Sequence, residues 1–236
     1  MTDFHSHFLP GIDDGSDSVE TSMSMLDMWR EQKISRVCAT PHFYAERMTP
    51  GWFLRRRNAA YNDVLAAMDP SVKYPEILLG AEVRFFDGIS NTQELPSLCL
   101  EGTDLLLLEM PFGVWTERML REVADIRRRG IIPVAAHLER YIPYNSGKMI
   151  RRFMDMDILI QCNAEFFLTR RTSRKALALL RQERIHFLGS DAHNTSSRAP
   201  DLGAALELID RKLGASSFEH LLRMEEMIDE GKGERQ

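Results

Sequence analysis

The sequence predicts an α/β protein, a barrel of parallel strands whose open end gathers metal-binding side chains. Three observations carry this prediction. Short apolar runs alternate with amphipathic stretches of roughly 10–15 residues, the pattern of successive βαβ units and a parallel sheet. The chain has 236 residues and is 44% hydrophobic, which suits one barrel domain of roughly 200–250 residues. A histidine, aspartate or glutamate stands just after nearly every strand-like run. Ligands arriving singly or in pairs from strand ends are what a barrel needs to assemble a multinuclear site.

The elements follow in order. Residues 3–6 read as a strand. Ser16 and Ser18 offer N-cap oxygens to a helix over 18–32, whose Met23, Met25, Met28 and Trp29 form its core face. Further strands are read over 35–41, 76–83, 103–109, 131–137, 157–163 and 185–190. Helices are read over 53–68, 117–129, 147–154, 172–183, 200–212 and 216–229. Arg127, Arg128 and Arg129 complement the dipole at a helix end that Gly130 terminates, and Thr172 or Ser173 caps the helix that follows. The count of strand-helix units is seven, one short of the usual eight. No repeat, low-complexity segment or linker interrupts the chain, so residues 1–236 are expected to form a single domain. The polar stretch 231–236, with two glycines, reads as a frayed tail.

The net charge of -5 and pI near 5.8 argue against nucleic acid or an anionic membrane surface as partner. Cys38, Cys99 and Cys162 have no close-spaced partner, and two of them sit in apolar strand-like runs, which favours a reducing cytoplasm. No basic-then-apolar leader opens the chain and no apolar run approaches the ~18 residues of a membrane span. A soluble, unexported, cytoplasmic protein is expected.

Asp3-Phe4-His5-Ser6-His7 places two imidazoles two residues apart, so that in an extended segment both point to one side and can bind one ion. The turn Pro10-Gly11-Ile12-Asp13-Asp14-Gly15 then presents two carboxylates nearby. Gly189-Ser190-Asp191-Ala192-His193 repeats the two-residue spacing with a carboxylate and an imidazole, a pair suited to Mn²⁺, Zn²⁺ or Fe²⁺. Glu82 and Glu109 end otherwise apolar runs. A carboxylate buried there costs several kcal/mol unless a cation compensates it, although a salt bridge to arginine is the plain alternative for Glu109. His42 and His137 occupy the same topological place on their own strands. His186, inside a strand, reads as structural, and His220, beside Glu219, as a solvated face residue.

These motifs carry a family resemblance. The opening segment through Gly15, Ala39-Thr40-Pro41-His42, Gly80-Ala81-Glu82, His137-Leu138-Glu139-Arg140-Tyr141 and Gly189 to Asn194 together resemble the polymerase-and-histidinol-phosphatase (PHP) superfamily. Within it they are most similar to the bacterial manganese-dependent protein-tyrosine-phosphatase branch, the CpsB and YwqE type. The resemblance spans nearly the whole chain. It implies a distorted seven-stranded TIM-like barrel holding about three divalent ions, Mn²⁺ with Fe²⁺ or Zn²⁺ as substitutes. It implies that His5, His7, Glu82 and Asp191 hold one ion, that Glu82 bridges to a second held by Glu109 and His137, and that Asp14, His42 and His193 hold a third, with Asp14 rather than Asp13 facing inward. Arg140 and Arg198 are implied to grip the substrate phosphate, and with Asp191 they make up the expected catalytic set. The family usually has proline where Leu138 stands, a departure expected to loosen the loop carrying Arg140.

The residues support phosphoester hydrolysis on physical grounds too. Paired divalent ions activate water to hydroxide and neutralise charge on the phosphoryl oxygens, and no cysteine lies in a glycine-rich phosphate loop to serve as nucleophile. Arginine supplies 24 of the 30 basic residues and grips phosphate bidentately. The clusters 55–57 and 170–174 read equally as phosphate ligands or as compositional bias. Tyr44, Trp52 and Phe53 could line a pocket for an aromatic phosphorylated side chain or cap the barrel. The expected function is hydrolysis of phosphotyrosine on a protein, the autophosphorylated tyrosine kinase of capsule or exopolysaccharide synthesis. The alternatives are a small-molecule phosphomonoesterase of the histidinol-phosphatase type and a metal-binding scaffold without turnover.

Overall fold

The computed structural model describes residues 1–233. A curled, parallel α/β sheet organises it, and among the described residues that sheet comprises nine strand segments: β1 (Thr2–Ser6), β2 (Arg36–Ala39), β3 (His42–Phe43), β4 (Glu76–Leu79), β5 (Glu82–Arg84), β6 (Leu105–Glu109), β7 (Ile132–Ala135), β8 (Leu159–Asn163) and β9 (Phe187–Gly189). Eight helices accompany them: α1 (Val19–Glu31), α2 (Pro50–Ala67), α3 (Glu117–Arg128), α4 (Gly147–Met154), α5 (Ala164–Leu168), α6 (Ser173–Arg181), α7 (Leu202–Leu213) and α8 (Ser216–Gly233). One ladder runs β1-β2-β4 and another β3-β5-β6-β7-β8-β9, and the strands pair in parallel throughout both. The curl brings the last strand beside the first, where Asp191 N donates to His5 O and His7 N to Ala192 O, both at 2.8 Å.

The strand expected over 76–83 is broken, and the one expected over 35–41 stops at Ala39, a further short strand following Pro41. Thr40-Pro41 separates β2 from β3, and Gly80-Ala81 separates β4 from β5. Pro41 has no N–H to continue a ladder, and the N–H of Glu82 lies between Thr40 O at 3.2 Å and Pro41 O at 3.0 Å. The step re-registers both strands so that His42 and Glu82 stand opposite each other.

Alternation along the strands divides the core. Leu105 and Leu107 point into one cluster with Phe4, Cys38, Leu78, Val134 and Phe187, where the Phe4 and Phe187 rings stack at 4.0 Å. Leu106 and Leu108 join the larger layer between sheet and helices. Met25 and Trp29 of α1 lie in that layer, with Met23 packed against it. Ile228 of α8 enters the inner cluster. Arg36 at the start of β2 donates to Asp229 at 2.6 Å and Thr2 N to Glu225, so α8 closes the amino-terminal end of the sheet. The opposite end stays available for a site.

Capping sets the helix starts: Ser18 Oγ accepts from Thr21 N at 3.2 Å, and Thr49, Thr116 and Ser146 do the same for α2, α3 and α4. Thr172 precedes α6 without a side-chain cap bond. His186 is structural as expected, its Nδ1 accepting from Ile160 N at 3.0 Å. His220 is not solvated. It is buried, with Nε2 3.1 Å from Ile185 O, because α8 packs this face onto the turn before β9. Helix α8 runs to Gly233, three residues into the stretch read as a frayed tail, and the rest of that stretch lies outside the described residues. No helix among the described residues is long and apolar enough to cross a membrane.

Candidate metal centre

The carboxyl ends of the strands deliver their polar side chains to one place. β1 carries His5 next to its last residue and leads straight into His7, β3 and β5 open with His42 and Glu82, β6 closes on Glu109, and His137, Asp191 and His193 follow β7 and β9. The Nε2 atoms of His5 and His7 are 3.0 Å apart. Glu82 Oε2 lies 3.4 Å from each of them, and Asp191 Oδ1 lies 3.6 Å from His5 Nε2 and 3.4 Å from His7 Nε2. His42 Nδ1 is 2.7 Å from Glu82 Oε2, and His137 Nε2 is 2.8 Å from Glu82 Oε1 and 3.8 Å from Glu109 Oε1. Asp14, 66% exposed, reaches in from its turn to 3.4 Å from His42 Nε2 and 3.5 Å from His193 Nε2. All nine side chains expected as ligands are therefore gathered into one cluster.

This cluster has the character of a cation site. Donor atoms of His7, Asp14, His42 and His193 lie within 4.8 Å of one another, as do those of His5, His7 and Glu82 and those of His42, Glu82 and Glu109. His137 Nδ1 and His193 Nε2 are buried with no hydrogen-bond partner, and His42 Nδ1 and Glu82 Oε2, although 2.7 Å apart, are not aligned to bond each other. Converging lone pairs repel unless a cation stands between them, and mixed imidazole and carboxylate donors suit Mn²⁺, Fe²⁺ or Zn²⁺. The residues thus fit divalent metal.

The electrostatics point the same way. Burial alone would raise the Glu82 carboxyl, yet His5, His137 and His42 hold it well below the usual range. Asp191 is likewise held down against burial by His5, His7 and Arg140. Burial, and then the neighbouring Glu82 carboxylate, push Glu109 up to about 7. Burial disfavours protonation of His42, but the carboxylates of Asp14 and Glu82 outweigh it and lift this imidazole to about 9. His193, buried and facing His7, falls to about 3.

A layer of residues that sequence reading missed orients the ligands. Asp13, set aside in favour of Asp14, has Oδ2 2.7 Å from His7 Nδ1, and the same oxygen accepts from His42 N at 2.8 Å. Gln161, fully buried at the centre of β8, has Oε1 3.3 Å from His5 Nδ1 and accepts from His137 N at 2.7 Å. Its Nε2 donates to Asn163 Oδ1 at 2.9 Å, and Asn163 Nδ2 donates to Asp191 Oδ2 at 3.0 Å. The signal was present in Gln161-Cys162-Asn163, two amides two residues apart in an otherwise apolar strand and therefore on one face. These anchors matter because His137 (φ 31°) and Asp191 (φ 54°) both hold left-handed backbone that costs non-glycine residues of order 1–3 kcal/mol. Space is equally tight at two glycines: a Cβ on Gly189 would stand 2.6 Å from His5 Cβ, and one on Gly15 2.0 Å from His7 O.

Arg140 and Arg198 converge on Asp191. Arg140 pairs with Oδ2 and Arg198 Nη2 donates to Oδ1 at 2.9 Å, each guanidinium remaining about one-third exposed. Both line a cavity of ≈ 280 Å³ with Asn163, Ser190 and Asp191. Leu138 does not loosen their loop: it is fully buried and starts a 3₁₀ turn, Leu138–Tyr141, in which Arg140 N donates to His137 O at 2.9 Å. The other arginine clusters make no ion pair with the nine ligand-type side chains among the described residues. Arg57 is buried against Gly80 O at 2.8 Å, Arg56 donates to Gly11 O at 2.6 Å, and Arg170, Arg171 and Arg174 point to solvent. Of the three aromatics weighed as pocket lining, Tyr44 stacks on His42 with centroids 5.1 Å apart. Phe53 is buried edge-on to Phe43, and Trp52 sits under Arg56 on the outer face of α2. All three cysteines are buried, with no disulfide among the described residues.

The chain is 26% identical over 234 residues to the tyrosine-protein phosphatase CpsB of Streptococcus pneumoniae, covering 94% of each chain. It is 26% identical over 227 residues to the tyrosine-protein phosphatase YwqE of Bacillus subtilis, covering 91% of this chain and 86% of that one. The solved structures described as YwqE from Bacillus subtilis and CpsB from Streptococcus pneumoniae, unique metal-dependent tyrosine phosphatases, share its fold: TM-score 0.81 at 23% identity, over 97% of this chain and 94% of that one. A family profile described as capsular polysaccharide synthesis, CpsB/CapC, matches residues 1–228, and the chain belongs to that family.

Proposed function

We propose that this protein is a metal-dependent phosphatase that hydrolyses phosphotyrosine on a protein substrate. The observation that carries the reading is the convergence of nine ligand-type side chains at the strand ends with two arginines facing the same cleft. The names of its relatives CpsB and YwqE support the same reaction. In this reading His5, His7, Glu82 and Asp191 would hold one ion, Glu82, Glu109 and His137 a second, and Asp14, His42 and His193 a third, with Mn²⁺ as the cofactor and Fe²⁺ or Zn²⁺ as substitutes. Bound divalent ions lower the pKa of water and neutralise charge developing on the phosphoryl oxygens.

The chain's own residues do the rest. Arg140 and Arg198 present guanidinium donors to the equatorial phosphate oxygens, with Asp191 fixing both at their inner ends. Asn163, hydrogen-bonded to Asp191, keeps that carboxylate from turning. A phenolate leaving group has a conjugate-acid pKa of about 10 and departs with less proton assistance than an alkoxide. Burial pushes the Cys162 thiol well above its ordinary range, so this cysteine is poorly suited to act as a nucleophile.

The finer parts of the reading follow. The curled sheet is read as seven staves of a distorted barrel, β2 continuing as β3 and β4 as β5, in a single domain over residues 1–236. The substrate is the phosphorylated tyrosine segment of a capsule or exopolysaccharide kinase. The thiols of Cys38 and Cys162, buried in strands, support residence in the reducing cytoplasm. The test is a side-by-side assay of chelated and Mn²⁺-reloaded protein on a phosphotyrosyl peptide and on histidinol phosphate. Metal-dependent turnover that prefers the peptide is expected, and preference for histidinol phosphate would overturn the substrate class.

A further inference from the structure

Three of the large apolar side chains most exposed in this molecule stand on one rim of the metal centre. Phe112 is 49% exposed, Val114 77% and Tyr144 50%. The Phe112 ring lies nearly parallel to the His137 imidazole, 16° between planes and 5.9 Å between centroids, with Tyr144 edge-on to it at 6.5 Å. The segment that carries Phe112 leaves β6 directly after Glu109, and the segment that carries Tyr144 follows Arg140. The apolar rim is therefore continuous with both the ligand cluster and the phosphate-facing arginine.

The rim is also rigid. Asn145 ties its two segments together: its Oδ1 accepts from Trp115 N at 2.9 Å, while its Nδ2 donates to Gly113 O at 3.1 Å and to Tyr141 O at 3.2 Å. Beneath, Trp115 and Tyr141 are fully packed, Trp115 Nε1 donating to Pro111 O at 3.0 Å and Met110 N donating to Tyr141 Oη at 2.9 Å. A half-exposed phenyl ring held in place by buried neighbours and a clamped backbone is a preorganised surface for another ring.

We infer that Phe112 is a specificity-determining residue, the platform on which the phenyl ring of a tyrosyl phosphate stacks when its phosphate lies between the metal cluster and Arg140. This rests on the phosphotyrosine reading above and sharpens it. Centre and arginines select a phosphate monoester of any kind, whereas the rim selects the aromatic one. Apolar neighbours of the tyrosine in a peptide would extend onto Val114 and Tyr144.

The experiment compares kcat/KM for a phosphotyrosyl peptide with that for the phosphoseryl peptide of the same sequence, using the Mn²⁺-loaded full chain. In Phe112→Ala the tyrosine-to-serine preference is expected to fall about tenfold, with Phe112→Trp or Phe112→Tyr keeping it within about twofold. An unchanged preference in Phe112→Ala overturns the platform role while leaving the phosphatase reading intact. So does an equal loss on both peptides, which marks a structural role only. Wild-type protein showing no preference for the phosphotyrosyl peptide overturns both, and is distinguished by appearing before any substitution.

Discussion

Replacing Gln161 with leucine isolates the support beneath the ligands. Leucine has a comparable volume, so the principal loss is polar rather than a cavity. The amide gives up the bond from His137 N at 2.7 Å, its contact with His5 Nδ1 at 3.3 Å, and its donation to Asn163 at 2.9 Å. His137 N is then a buried donor without an acceptor, at a cost of roughly 1–3 kcal/mol. The same bond helps hold His137 in left-handed backbone at φ 31°, so relaxation there shifts the imbalance onto the ligand itself. With the other two contacts the expected loss is roughly 2–4 kcal/mol, a fall in Tm of roughly 5–15 °C for a chain of this size. Metal affinity should drop about 10–100-fold, as it does when partners that orient ligands are removed. Thermal unfolding in chelator and Mn²⁺ titration by calorimetry read the two effects separately. Gln161→Leu with wild-type Tm and wild-type Mn²⁺ affinity would refute the claim that this amide positions His5 and His137.

Three further outcomes are expected. Gly189→Ala places a Cβ 2.6 Å from His5 Cβ and 2.9 Å from His5 N, backbone that cannot swing aside, so the variant should lose roughly 1–3 kcal/mol of stability and bind Mn²⁺ more weakly; a fully stable, metal-binding variant would contradict the close approach. Asp201 is pushed up to about 7 by burial and then by Asp3 and Glu165. A carboxyl raised in the fold binds its proton more tightly there than when unfolded, so this group's contribution is full below pH 3.8 and is lost as pH rises towards 7. Asp201→Asn should therefore gain on the order of 1–2 kcal/mol relative to wild type at pH 8 and little at pH 4, with denaturant unfolding at both pH values as the check. Iodoacetamide under native conditions should leave turnover intact, since Cys38, Cys99 and Cys162 are all buried; rapid inactivation tracking alkylation of one cysteine would refute chemistry without a thiol.

Much of the centre was legible because its residues offend the pattern of their neighbours. Glu82 and Glu109 interrupt apolar runs, and two His-x-His or Asp-x-His spacings sit at chain segments that must be extended. Each anomaly is local, so a single sequence reveals it. What stayed hidden depends on contacts between distant segments. The break at Gly80 is invisible in the sequence because apolar content continues across it, and so is the short strand that resumes after Pro41; the N–H of Glu82, shared between Thr40 O and Pro41 O, links the two. His220 resembled a surface residue on an amphipathic helix, and only the packing of α8 against Ile185 O buries it. Arg57 was ambiguous between phosphate binding and bias, and the structure gives it a third role, a buried donor to Gly80 O. Asp13 and Asp14 are neighbours of identical chemistry. Which one orients His7 and which reaches His42 and His193 follows from the path of the turn alone.

Anomalous diffraction at the manganese edge, from crystals grown with Mn²⁺, tests the central claim most directly. The account requires peaks inside the space bounded by His5, His7, Glu82 and Asp191 and by Asp14, His42 and His193. Manganese bound elsewhere on the molecule, with no peak within that cluster, would contradict it.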